Sequence, residues 1–155
     1  MKKIFIILSI MISLLQADSY LIKYKGITLG KIENLSTLNQ NYLKAKVTNS
    51  IVRFMMKKDF FVFYDSKKPN FSKTKYRKDN KKIIYALKEA IASKPSYEDV
   101  QIDEKRHITL SCKEKICKFD YYSDGHHNAN GKIEFRNEKF YRLTEEKSSL
   151  EIVKE

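Results

Sequence analysis

Only four glycines occur in this chain, at positions 26, 30, 125 and 131. None of them clusters into the glycine-rich loop that cradles a phosphate, so nucleotide-binding motifs of that kind are excluded. A nucleophile elbow and a His-Glu-x-x-His helix are missing too, and with them the usual marks of a serine hydrolase or a zinc protease. Cysteine is used twice, enough for one disulfide. Beyond residue 15 no apolar run approaches the roughly 20 residues of a membrane-spanning helix. Acid is scarce relative to base, 19 residues against 31. There is no internal repeat and no low-complexity linker.

What is present begins with Lys2-Lys3, followed by a twelve-residue apolar run from Ile4 to Leu15 and then Gln16-Ala17-Asp18-Ser19. A short basic region, a short apolar core and a small residue before polar sequence form the plan of a secretory signal peptide, which predicts cleavage after Ala17. No cysteine sits near that point, so lipid modification there is not expected. The expected organisation is a signal peptide over 1–17 and a single domain over 18–155. A domain of that size buries roughly two-thirds of its unfolded surface around one core. Removing Lys2 and Lys3 leaves 29 basic residues against 19 acidic, a net charge of +10. An exported chain with that charge meets anionic lipid headgroups, lipopolysaccharide phosphates, cell-wall polymers or acidic proteins in place of nucleic acid.

The pattern from Tyr20 to Leu35 alternates like a strand, but its phase slips at Gly26, where a bulge or a tight reversal is expected. Tyr42 to Val47 returns as another strand. Thr48-Asn49-Ser50 supplies capping oxygens for a short helix over 50–57, with Ile51, Phe54 and Met55 spaced i, i+3, i+4. Asp59 to Tyr64 is apolar and rich in β-formers, and reads as a central strand buried on both faces. From Lys67 to Lys82 eight basic residues (Lys67, Lys68, Lys73, Lys75, Arg77, Lys78, Lys81, Lys82) face one acid, Asp79, with Phe71 and Tyr76 interleaved. This segment reads either as a solvated loop and edge strand or, with Tyr76, as a polyanion- or partner-binding surface. A firm helix follows over 81–93, capped by Asp79-Asn80, striped by Ile83, Ile84, Leu87, Ala90 and Ile91, and ended by Lys94-Pro95. Strands are expected over 107–112, 117–122, 132–136 and 139–143, with a last short one over 150–153. Asp124-Gly125 and Asn130-Gly131 read as turns around His126-His127, and Asn137-Glu138 as another.

Three constellations remain. Cys112 and Cys117 face each other across a predicted hairpin at a Cα spacing near the 5.5 Å of a disulfide, which would clamp its register. A second reading makes them metal ligands with His126, His127 or His107, although their spacing matches no zinc module. Phe54, Met55, Phe61 and Phe63 are candidates for the lining of an amphiphile pocket. Carboxylates such as Asp120 and Glu134 suggest no paired acid–base site. No cofactor is implied.

The opening Tyr20-x-Ile22-x-x-x-Gly26-Ile27-x-Leu29-Gly30, together with Cys112-Lys113-x-x-x-Cys117-Lys118-Phe119, resembles small uncharacterised periplasmic proteins of the Campylobacter and Helicobacter group. The first pattern also resembles broader families of exported β-sheet proteins that open on such a strand. The resemblance implies a Gram-negative periplasm and brings no catalytic residues with it. By analogy, the resemblance implies a place beside the periplasmic structures of a flagellar motor. The expected fold is α+β: a curved, mainly antiparallel meander of about seven or eight strands covered by the helix at 81–93. The expected function is non-catalytic, as a structural or adaptor protein docking on another envelope component. The alternatives are a carrier of a lipid or other amphiphile, and an enzyme with a cysteine or histidine site.

Overall fold

The computed structural model describes residues 18–57, 59–64, 76–79 and 81–155. The signal peptide expected over 1–17, and Lys67, Lys68, Phe71, Lys73, Lys75 and the capping Asn80, lie outside them. Among the described residues, thirteen regular elements follow in chain order, apart from a 3-10 turn at Ser36–Gln40. They are β1 (Tyr20–Tyr24), β2 (Ile27–Ile32), β3 (Tyr42–Val47), α1 (Ser50–Met56), β4 (Phe60–Tyr64), β5 (Tyr76–Asp79) and α2 (Lys81–Ala92). After α2 come β6 (Glu98–Asp103), β7 (Arg106–Lys113), β8 (Ile116–Ser123), β9 (His126–Arg136), β10 (Lys139–Glu145) and β11 (Leu150–Lys154).

All eleven strands form one sheet in the order β5-β4-β3-β2-β1-β11-β10-β9-β8-β7-β6. Every neighbouring pair is antiparallel except β4 and β5, which run parallel. The chain therefore builds two meanders, β1 to β4, with β5 added parallel at the edge, and β6 to β11, and joins them where β1 pairs with β11. That seam is fastened at its end. The Glu155 amide donates to the Ser19 carbonyl at 3.0 Å, Lys154 reaches Asp18 at 2.7 Å, and Lys31 pairs with Glu155.

Alternation decides which face each strand buries. Tyr20 and Ile22 of β1, Ile108 and Leu110 of β7, Cys117 and Phe119 of β8, and Ile133 and Phe135 of β9 all turn to the same core. α2 delivers Ile83, Ile84, Ala86, Leu87 and Ala90 into that core, all fully buried. It touches β4 near one end of the strand order and β7, β8, β9 and β10 in the other meander.

The phase slip at Gly26 is a reversal. Lys25 (φ 48°) and Gly26 (φ 80°) turn β1 into β2, with both residues in the left-handed region that two-residue hairpin turns favour. Asp124-Gly125 and Asn137-Glu138 turn the chain in the same way, as the sequence predicts. Asn130-Gly131 does not. Both residues lie inside the eleven-residue β9. A Cβ at Gly131 would sit 2.6 Å from the Phe119 ring and collide with the Thr144 carbonyl oxygen, so glycine there serves close approach and not a turn. The strand Phe60–Tyr64 is second from the sheet edge, not central, and Phe60 is half-exposed while Phe63 is buried. Lys44 covers the Phe60 ring at 4.2 Å, so a lysine stem shields that outer side.

Candidate functional site

α1 is held by its polar and basic side chains and presents its apolar ones. Asn49 caps it, accepting from the amides of Ile51 at 3.0 Å and Val52 at 3.1 Å, while its own side-chain amide donates to the Thr28 carbonyl at 3.2 Å. Arg53 donates to the Val47 carbonyl at 2.8 Å and lies 3.6 Å from Asp59. Val52 packs against the core. With those residues facing in, helical geometry throws Ile51, Phe54 and Met55 outward, at 68, 83 and 76% exposure. Beside the helix lies a cleft of about 420 Å³ walled by Lys31, Lys46, Thr48 and Arg53, with Glu33 as its acid.

The expected amphiphile lining is thus divided. Phe63 belongs to the buried core while Phe54 and Met55 point to solvent, so these three do not wall one enclosed space. The Phe61 side chain lies outside the described ones.

Of the basic segment, Lys81 and Lys82 are described in full; for Tyr76, Arg77 and Lys78 the description stops at the backbone of β5. These two lysines are not part of a solvated loop. Lys81 is 5% exposed with Asp103 at 3.9 Å, and Lys82 lies 3.3 Å from Glu145, a carboxylate with no exposure at all. Both line a cleft of about 380 Å³ that they share with Arg106, Tyr121, Ser123 and Asn128. Arg106 reaches Asp103 at 3.4 Å. The Asp103 carboxyl is held below its ordinary range, chiefly by the Lys105 amide hydrogen bond and also by the charges of Arg106 and Lys81. Sequence reading missed Arg106, because a lone arginine at the start of a strand carries no pattern.

A third cluster lies on the outer face of β7, β8 and β9. His107 stacks on Tyr122 at 4.7 Å, and the His127 ring meets Tyr122 edge-on at 5.3 Å. His127 Nε2 is 2.8 Å from Asp120 Oδ1. Glu134 pairs with Lys132 at 3.3 Å, so Asp120 and Glu134 have separate partners. A histidine–carboxylate pair activates something only with a nucleophile in reach. Among the described residues no hydroxyl or thiol hydrogen-bonds to His127.

Cys112 and Cys117 are directly opposed and joined as a disulfide, with Cα atoms 3.9 Å apart, closer than the spacing expected. Glu114, at φ 55°, makes the turn. Closing so short a loop restricts the unfolded chain by about 2 kcal/mol. A bonded pair offers no thiolate, which removes the sulfurs from the metal set proposed with His126 and His127. Those histidines pair with Ser123 and Tyr122, roughly 17 Å along β8 from Cys117. Among the described residues no group of three or more His, Cys, Asp or Glu side chains could hold a metal ion.

Compared with protein-family models, curated proteins and solved structures, the chain matches none of them. Its own geometry carries the functional reading. Among the described residues no helix is long and apolar enough to cross a membrane.

Proposed function

We propose that the protein is a non-catalytic periplasmic component that docks on an anionic membrane surface of the envelope through α1. The exposed triad Ile51, Phe54 and Met55 carries this reading. α1 contains no acid, Arg53 lies within it, Lys57 ends it, and Lys46 and Lys31 flank it in the adjoining cleft. Apolar side chains beside cations, with Glu33, Asp59 and Glu155 as the nearby acids, suit the boundary between headgroups and acyl chains of anionic lipid. A protein partner would want a broader apolar surface, since stable protein interfaces bury about 800 Å² on each side. The net charge and the predicted signal peptide support the location.

The arrangement of α2 supports docking over carriage of an amphiphile. β4 and β7 lie eight strands apart in the sheet order, roughly 38 Å in a flat sheet at the usual strand spacing. α2, with twelve residues, is about 18 Å long, yet it touches both. These lengths support a sheet that curves around α2, with α2 on its inner face. The concave side, where a carried lipid would sit, is occupied by Ile83, Ile84 and Leu87 of α2.

The test is co-sedimentation of residues 18–155 with phosphatidylglycerol vesicles and, separately, phosphatidylcholine vesicles. Burying a Phe and a Met is worth roughly 1.5–3 kcal/mol each, so Phe54→Ser/Met55→Ser should weaken anionic-vesicle binding at least about tenfold. Salt should weaken it as well. Equal binding by the double variant, or no binding by the parent, overturns the proposal. Crosslinking in cells would then direct attention to a protein partner.

A further inference from the structure

The cleft at the start of α2 is independent of the membrane reading. Lys81, Lys82 and Arg106 all line a space of about 380 Å³. Among the described residues no carboxylate lines it. Asp103 and Glu145 are not lining residues, but Asp103 lies 3.9 Å from Lys81 and 3.4 Å from Arg106, and Glu145 3.3 Å from Lys82. These contacts orient the cations. Lys81 and Lys82 are also the first two residues of α2, so the positive end of the helix adds to the field there.

Apart from Ala129, the rest of the lining is polar. Asn128 donates its amide hydrogens to the Ser123 and His126 carbonyls, at 3.3 and 3.1 Å, which leaves its side-chain oxygen as an acceptor. Tyr121 and Ser123 bring hydroxyls. The volume is at the small end of ligand pockets, large enough for an anionic head with a short hydroxylated remainder.

We propose that this cleft binds a phosphate monoester, with Arg106, Lys81 and Lys82 on the phosphate and Asn128 accepting from a hydroxyl of the organic part. The arginine fork and two ammonium groups match a dianion with three terminal oxygens better than a single carboxylate. The same chemistry is offered by a soluble sugar or glycerol phosphate and by a phosphatidic acid headgroup.

Calorimetric titration of residues 18–155 with glycerol 3-phosphate, and with glycerol as the blank, tests the soluble source. The lipid source is tested by sedimentation with phosphatidic acid vesicles, using the Phe54→Ser/Met55→Ser background so that α1 adsorption does not contribute. Saturable one-to-one binding is expected in at least one arm. Losing a hydrogen bond to a charged group makes Arg106→Gln about 10-fold weaker or more, whereas exposed Lys139→Gln leaves binding unchanged. Binding only to the vesicles, lost in Arg106→Gln, assigns the headgroup as the source and sustains the cleft. Should Arg106→Gln melt abnormally, Asn128→Ala takes its place. Absence of binding in both arms overturns the proposal, as does equal weakening by Lys139→Gln.

Discussion

Replacing Lys82 by methionine strands the carboxylate of Glu145 inside the buried face of the sheet. Glu145 has no exposed surface, and its Oε2 accepts from the Ser148 amide at 3.2 Å and from the Ser148 hydroxyl. Oε1 has no hydrogen-bond partner among the described residues. Lys82, 3.3 Å from Oε2, supplies the opposite charge. At that distance the attraction is about 5 kcal/mol at an effective dielectric of 20, most of it offset by desolvation of the two ions. Breaking a buried pair from one side costs roughly 3–5 kcal/mol; the 25% exposure of the lysine, which lets water in, points to about 3. For a domain of this size that is a fall in melting temperature of about 10 °C. Glu145→Leu should cost only about 1 kcal/mol, because Lys82 can turn to water, and the double variant Lys82→Met/Glu145→Leu should lie near the parent. Thermal and urea unfolding followed by circular dichroism complete the cycle, with an expected coupling of at least about 2 kcal/mol. A fall of less than about 3 °C for Lys82→Met, or additive single effects, would refute the reasoning.

Two further perturbations probe the sheet. Gly131→Ala forces a methyl against the Phe119 ring and the Thr144 backbone, and should lower stability by about 2–3 kcal/mol; an unchanged urea midpoint would disprove that close approach. At the seam, the Asp18 carboxyl is held below its ordinary 3.8, chiefly by the Lys154 hydrogen bond, and that of Glu155 below 4.5, chiefly by the Lys31 hydrogen bond. Depressed carboxyls stabilise the fold above their ordinary values and lose that contribution as pH falls through the lowered ones, so the loss falls below about pH 4. Lys154→Gln should move the acid-unfolding midpoint to higher pH, and an unmoved midpoint in a circular dichroism titration would count against this account.

Legibility in the sequence followed the range of the forces involved. α2 was readable because Ile83, Ile84, Leu87 and Ala90 mark one face within a single helix, and its observed end at Ala92 falls one residue short of the expected one. α1 was readable from Asn49, but its orientation was not, because i, i+3, i+4 spacing does not say whether a stripe faces in or out. The sheet has more strands than the seven or eight expected. Glu98–Asp103 is polar in four of its six residues and lies at the edge, where packing leaves little alternation to read. Gly131 misled because a glycine needed under an aromatic ring and one needed in a turn look the same in sequence. Lys81 and Lys82 resembled the solvated lysines before them, and their partners Asp103 and Glu145 lie 22 and 63 residues further on.

The pairing of β1 with β11 also orders events in time. The residues it joins are 126 to 134 positions apart, so β1 emerges early from the ribosome and waits for almost the whole chain before its second neighbour exists. Contacts of such separation slow folding, because the loop entropy must be lost before any contact rewards it. The central seam of the sheet cannot be completed while the chain is being made.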